Sequence, residues 1–414
     1  MRDEIALFHP GTQHSRQTAL ALQELGRLRF FATSLFYRPD RWPYRIERLL
    51  PEPLARRVHA EFRRFAHPGL DPMRVRDHGW TEWLERAARR AGHPRLAERL
   101  DVVGNQLFAR ALRRDIRSAE PFALWGYNGS SLHAFRAAKA RGRFCILDRT
   151  IGDWREYGAV MARVADAYPD FVAGRGWRVS AARIDADDEE YALADLVLAG
   201  SPAAADTVRR HAADRTVGDR LRVLPYCFDE RLFGALPPPE PRPAGAPLRF
   251  LFLGQAGVRK GIHLLLNAFS RLPRPAATLT VVGEVQVPPA TWARYADRVT
   301  HRPTVPRADV PALMRAHDML VLPSYFEGSA VVLLEALAAG LGLIQSAAAG
   351  LGVTPATGLC LPELSEEALE AAMATALRDP ARVEAWRRAA PVEARRYRFA
   401  TYRDRIARLL NAGE

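Results

Sequence analysis

A chain of 414 residues that is 48% hydrophobic exceeds one ordinary core and reads as globular throughout, so two domains of roughly 150 to 200 residues are expected. The net charge of +13 points toward nucleic acid, yet only two of the 60 basic residues, Lys139 and Lys260, are lysine. That bias fits coding composition as well as it fits phosphate binding, and no zinc-finger, helix-turn-helix or RNA-recognition pattern accompanies it, so no nucleic-acid partner is expected. Cys145, Cys227 and Cys360 lack metal-ligand spacing and read as reduced core residues of a cytoplasmic protein, which excludes a disulfide scaffold.

The first strand, "IALFHPG", has no signal-peptide pattern before it and runs into the helix "SRQTALALQELG", with Gly11 in a tight turn and Ser15 as a possible cap. The second strand, "RFFATSLF", ends without the acidic residue that would hold a nicotinamide ribose, which argues against dehydrogenase chemistry. From Arg38 to Arg117 there are 19 arginines against 11 acids, alongside Trp42, Leu49, Leu50, Phe62 and Phe65. A solvated helical face explains this, and so does an anionic membrane surface or polyanionic acceptor; the chain is then cytoplasmic, or peripheral on the inner membrane face.

Strand-like runs "FALWGY", "FCILDRT", "DLVLAGS" and "RLRVLPY" follow. Between them "DADDEE", Asp185 to Glu190, offers an Asp-x-Asp, but acids also gather in the first turn of a helix, and that is the expectation here. His9, His14 and His133 form no metal-spaced pair and read as packed or surface residues, with His14 favoured for a site by its loop. Ala235 to Pro247 carries six prolines and must be a linker. The alternation then restarts with "LRFLFLG", "ATLTVVGE", "DMLVLPS" and "LGLIQS".

These elements predict an α/β protein of two doubly wound, Rossmann-like domains facing across a cleft, with strand carboxyl ends toward it. The expected divisions are 1–234, the linker 235–247, a second domain 248–390 and a C-terminal helix in 391–414 that packs back on the first domain. The apolar stretch Ala330 to Val353 is broken by Glu335, Gln345 and four glycines, so it reads as helix and buried strand instead of a membrane span.

Two segments carry chemistry. "GQAGVRKG", Gly254 to Gly261, follows a strand and opens a helix; it lacks the Walker and dinucleotide fingerprints, but helix-start amides with Arg259 and Lys260 suit a diphosphate. One of only two lysines stands in this loop. "LPSYFEGSAVVLLEALAAG" places Glu327 in a loop and Glu335 inside an apolar helix expected over Ala330 to Ala339, capped by Ser329 and ended by Gly340. A buried carboxylate with no basic residue within a turn needs a partner from elsewhere, a ligand included.

With these segments quoted, the chain resembles the retaining glycosyltransferases of family four, which have the two-domain GT-B fold. "LFLGQAGVRKGIHLLLNAF", "VLPSYFEGSAVVLLEALAAGLGLIQS" and "TGLCL" resemble that family's donor-side segments, in order, and "YALADLVLAGS" with "LRVLPYCFDERLF" resembles the end of its first domain. The resemblance implies that Lys260 and Arg259 hold the donor diphosphate, that Glu327 meets the donor sugar and that Glu335 binds the ribose hydroxyls. Gly254, Gln255, Gly328, Ser329 and Ala330 would line the donor site, with Gly11 in the parallel turn of the first domain. Gln255 stands where the family often has arginine, "EGSA" stands for its usual Glu-Gly-Phe-Gly, and Asp148 lies where many members place histidine. His14, Asn128, Asp148 and Asp153 are the acceptor or sugar-side candidates.

The implied activity is transfer of a sugar from a nucleotide-diphosphate donor to a glycan, lipid-linked or small-molecule acceptor, retaining and without metal or other cofactor, with domain closure excluding water. The rival readings are a nucleotide-sugar epimerase of the same fold and a non-catalytic nucleotide-sugar-binding protein.

Overall fold

Short apolar strands fully buried on both faces are stable only between layers of helices, and the strand-like runs fold accordingly into two parallel sheets. In the computed structural model residues 4–11, 14–63, 65–67, 69–77, 80–172, 174, 177–243 and 245–411 are described. The first sheet comprises β1 (Ile5–Phe8), β2 (Leu28–Thr33), β3 (Val75–Asp77), β4 (Ala123–Tyr127), β5 (Cys145–Arg149), β6 (Leu196–Ala199) and β7 (Leu221–Val223), in the order β3-β2-β1-β4-β5-β6-β7. The second comprises β8 (Leu248–Leu253), β9 (Ala277–Val282), β10 (Val299–Arg302), β11 (Met319–Leu322), β12 (Gly342–Ser346) and β13 (Gly358–Leu361), in the order β10-β9-β8-β11-β12-β13. Both chains of strands therefore leave the middle in one direction and return to extend the other. The strand order reverses between β1 and β4 in one sheet and between β8 and β11 in the other.

The chain forms two compact units that interleave: Met1–Asp148, Asp185–Leu198 and Arg403–Glu414 in one, Arg149–Ile184 and Ala199–Tyr402 in the other. In the first unit Ile5, Leu7, Phe31, Trp125 and Ile146 are wholly buried. The C-terminal segment belongs to it, with Arg403 paired to Glu24 at 2.9 Å and Arg27 donating to Asn411 at 2.9 Å. In the second unit Phe250, Leu251, Phe252, Val281 and the whole of β11 are buried in one continuous core. The segment 235–247 has no helix or strand among its described residues.

Several local expectations are revised. The helix of the Glu335 segment runs Val331–Ala339 and ends at Gly340 in the left-handed conformation (φ 81°), but Ala330 occupies its N-cap position and Ser329 caps nothing. Ser15 is likewise the first residue inside the helix Ser15–Glu24, behind His14. "DADDEE" lies beyond the first turn of the helix Ala181–Leu193. There Glu190 is buried and accepts from the amides of Gly129 (2.8 Å), Ser131 (2.9 Å) and Leu132 (3.0 Å), so it caps the helix Leu132–Lys139 from outside. Cys360 is exposed on β13, an edge strand of the second sheet. Among the described residues no helix is long and apolar enough to cross a membrane.

Candidate functional site

In open α/β sheets ligands gather outside the carboxyl ends of the strands where the order reverses, and in the second unit that is the end of β8 beside β11. Three backbone turns converge there, and glycine makes this possible. Gly254, just after β8, has φ 140°, and Gly283, just after β9, has φ 132° and packs so close that an added Cβ would lie 2.1 Å from the Gly254 carbonyl oxygen. A single 3-10 turn, Val258–Lys260, then brings the basic residues back over the strand end. Gly261 (φ 71°) passes the chain into the helix Ile262–Ser270 against the Pro323 carbonyl.

The folded turn delivers Lys260 and Arg259 to one carboxylate. Lys260 Nζ lies 2.9 Å and an Arg259 guanidinium nitrogen 2.8 Å from the same Glu327 oxygen, Oε1, and Ser324 Oγ donates to that oxygen at 3.3 Å. Arg259 also donates to the Phe326 carbonyl at 2.9 Å, which pins the guanidinium to the Glu327 loop. Burial works to raise the Glu327 carboxyl, but the two cations outweigh it and hold the group below its ordinary value. Two cations sharing one carboxylate leave a net positive spot, suited to an anion that brings more than one negative charge.

This spot opens into a cavity of about 560 Å³ lined by Gly254, Gln255, Lys260, Glu327, Ser329 and Ala330, and by Arg307 and Glu335. The size is that of a small-molecule pocket. Ser329 Oγ is buried without a hydrogen-bond partner among the described residues. The Ala330 amide, in contrast, already donates to the Ala349 carbonyl at 3.0 Å, so it is engaged and not open to a ligand. At the helix start the cavity is lined by Val331 and Val332, whose amides have no intrahelical acceptor because they lie in the first turn.

Gly328 has no room for a side chain: a Cβ would lie 1.9 Å from the Thr150 carbonyl. The Ser201 hydroxyl donates to the Gly328 carbonyl at 2.5 Å and fixes the peptide from the other side.

Glu335 has a protein partner that the sequence did not disclose. Arg307, 28 residues earlier on the loop after β10, donates from both terminal nitrogens, one at 2.9 Å to Oε2 and the other to Oε1. The carboxylate is 4% exposed. Burial raises its pKa above the ordinary value, Arg307 offsets that only in part, and the charge of Asp229 adds to it. The partner expected from elsewhere, a ligand included, is thus supplied within the chain by Arg307.

The first-unit candidates sit at the matching reversal point. Asn128 and Asp148 meet at the ends of β4 and β5, where the Asn128 amide donates to the Asp148 carbonyl at 3.1 Å and the Trp125 indole to its carboxylate at 3.4 Å. Gly11 packs on the His9 ring, with 2.8 Å between a hypothetical Cβ and Nε2. His9, not singled out as a site residue from sequence, is buried against Tyr127 with ring centroids 4.7 Å apart. Burial pushes His9 and His14 down to about 4, so both imidazoles are neutral at ordinary pH. Asp153 belongs to the second unit, where it caps the helix Trp154–Ala167 by accepting from the Arg155 amide at 2.9 Å.

Residues 247–379 match the family described as Glycosyl transferases group 1. Among curated proteins, glycogen synthase of Mycobacterium tuberculosis is 33% identical over 159 residues, which is 36% of this chain and 38% of that protein. Among solved structures, sucrose-phosphate synthase from Thermosynechococcus elongatus superposes with a TM-score of 0.64 at 19% identity over 99% of both chains. Anabaena HepE, solved in complex with UDP and glucose, does so with a TM-score of 0.61 at 15% identity over 99% of this chain and 100% of that one. The two-sheet architecture is thus that of the GT-B fold.

Proposed function

We propose, from the premise that the segment 247–379 belongs to the group 1 glycosyl transferases, that the chain transfers a sugar from a nucleotide-diphosphate donor to a glycan, lipid-linked or small-molecule hydroxyl. The observation that carries this is a single cavity lined by Lys260, Glu327 and Glu335, with Arg259 paired to the same Glu327 oxygen as Lys260. A nucleoside diphosphate has the matching chemistry, anionic oxygens for the cations and ribose hydroxyls for a buried carboxylate.

The acceptor oxygen attacks the sugar's anomeric carbon as the bond to the diphosphate breaks, and the acceptor proton passes to the leaving phosphate oxygen on the same face. Configuration is then retained and no separate base is required. Charge accumulates on the departing diphosphate, where Lys260, Arg259 and the first-turn amides of the helix Val331–Ala339 stabilise it without a metal ion. Incubation with UDP-glucose as first donor tests this. Slow release of UDP and free glucose supports the transferase, an epimerised donor would move the assignment to an epimerase, and an inert donor across a panel of nucleotide sugars would leave a binding protein.

The acceptor side of this reading includes an anionic membrane. In the basic region of the first unit Trp42 is 63% and Leu49 72% exposed, and Ile46 and Leu54 are exposed beside them. Arg41, Arg45, Arg48 and Arg57 share that surface. Phe62 and Phe65, by contrast, are core: both pack on Trp83, at 5.1 and 5.3 Å. Exposed Trp and Leu among arginines is the composition of an interfacial anchor. Co-sedimentation with anionic but not neutral vesicles, weakened by salt, is the expected result; equal binding to both, or none, removes the membrane from the reading.

A further inference from the structure

The guanidinium of Arg307 has no part in the transfer just described, yet it covers both oxygens of Glu335. Its side chain is half exposed while the carboxylate is buried, so the pair is a cation laid over an inward-facing anion at one end of the cavity. Arg307 also lies over the Phe233 ring at 5.4 Å, and a second carboxylate, Asp229, acts on its charge. Asp229 caps the short helix Glu230–Phe233 and accepts from Arg231 at 2.9 Å. The guanidinium is thereby held near two anions, with an aromatic face alongside.

We propose that Arg307 is a displaceable latch on Glu335: a bound ribose exchanges its two hydroxyl donors for the two guanidinium donors, and Arg307 moves along Phe233 toward Asp229. This rests on the nucleotide-sugar reading and makes Arg307 a specificity-determining residue for the ribose. A ligand without vicinal hydroxyls cannot repay the lost pair and meets a closed latch. In the empty cavity the same pair keeps a buried carboxylate from standing unpartnered.

The charged groups around Glu335 fix the pH behaviour. Arg307 faces it from the loop after β10, Asp229 acts on it from the helix it caps, and Lys260, Glu284 and Glu327 line the same cavity. Without Arg307, burial and Asp229 both push the carboxyl further upward, so it takes up a proton at a higher pH than in wild type.

Calorimetry with UDP and with 2′,3′-dideoxy-UDP on the full chain tests the latch. Arg307→Met should bind UDP about tenfold more tightly than wild type at pH 8.5, the equivalent of one charge-assisted hydrogen bond no longer competed for. That gain should shrink as the pH is lowered and be absent for the dideoxy nucleotide, while wild type changes less over the same range. Arg307→Lys, which keeps the charge but not the paired donors, should fall between the two and guards against a folding defect in the first variant. UDP binding to Arg307→Met that is equal to or weaker than wild type at pH 8.5, with wild type binding normally, overturns the latch alone. Failure of wild type and variants to bind UDP, ADP, GDP or dTDP removes the nucleotide reading and the latch with it.

Discussion

The two sheets share one strand order around their reversal points, but the residues delivered there are opposite in kind. At the end of β8, Lys260 and Arg259 converge on Glu327 and leave a net positive spot. At the end of β1, His9 and His14 are neutral imidazoles, and His9 packs on Tyr127 and against Gly11. Topology therefore decides where a ligand can bind, and the side chains decide its charge. One point gathers two cations on a carboxylate; the other gathers neutral imidazoles near the buried Asp148.

The largest test of that contrast is Lys260→Ala, which removes the cation proposed to meet the leaving diphosphate. Turnover should fall by about 10²- to 10³-fold with a much smaller change in nucleotide affinity, measured as UDP release from the donor. A normal rate would assign the work to Arg259 or to the backbone amides. Next, Glu335→Gln keeps the shape but loses the charged acceptor, and UDP affinity by calorimetry should weaken about ten- to a hundredfold. Unchanged affinity would mean that Glu335 serves Arg307 alone.

The smallest effect concerns the neutral point. The folded pKa of His9, about 4, lies below its ordinary 6.5, so between those values the unfolded chain takes up a proton that the folded chain refuses. Stability should therefore be full above pH 6.5 and decline as the pH falls toward 4, by up to about 3 kcal/mol for this residue. His9→Gln should flatten that slope in urea titrations at pH 7 and pH 4.5 and leave UDP affinity unchanged. An equally steep slope would place the acid sensitivity elsewhere, for example at His14 or His263.

The buried strands were legible because they are runs of apolar residues bounded by turn signals. β3, β10 and β13 were not read as strands: they are edge strands of three or four residues with polar or exposed positions, such as "VRD" and "VTHR", that carry no pattern. Lys260 and Glu335 stood out in the sequence because a lysine in an arginine-rich chain and a carboxylate in an apolar helix each demand a reason, whereas Glu327 was named through the family resemblance. Arg307 was not, since nothing along the chain says that a loop residue 28 positions upstream folds onto Glu335. Ser329 was misread as a cap because a serine before an apolar run is a common capping signal, whereas here it lies two residues before the helix with its hydroxyl buried.

The ion pair of Lys260 also makes the chain its own reporter. With only one other lysine, Lys139, itself paired to Asp195 at 2.6 Å, an amine-acylating reagent has two side-chain targets in the whole protein. Lys260 Nζ is largely shielded and bound to Glu327, so its acylation tracks the moments when that pair opens, while the more exposed Lys139 serves as an internal standard. Occupancy of the cavity becomes a ratio of two labelled peptides, readable by mass spectrometry in crude mixtures before donor or acceptor has been identified.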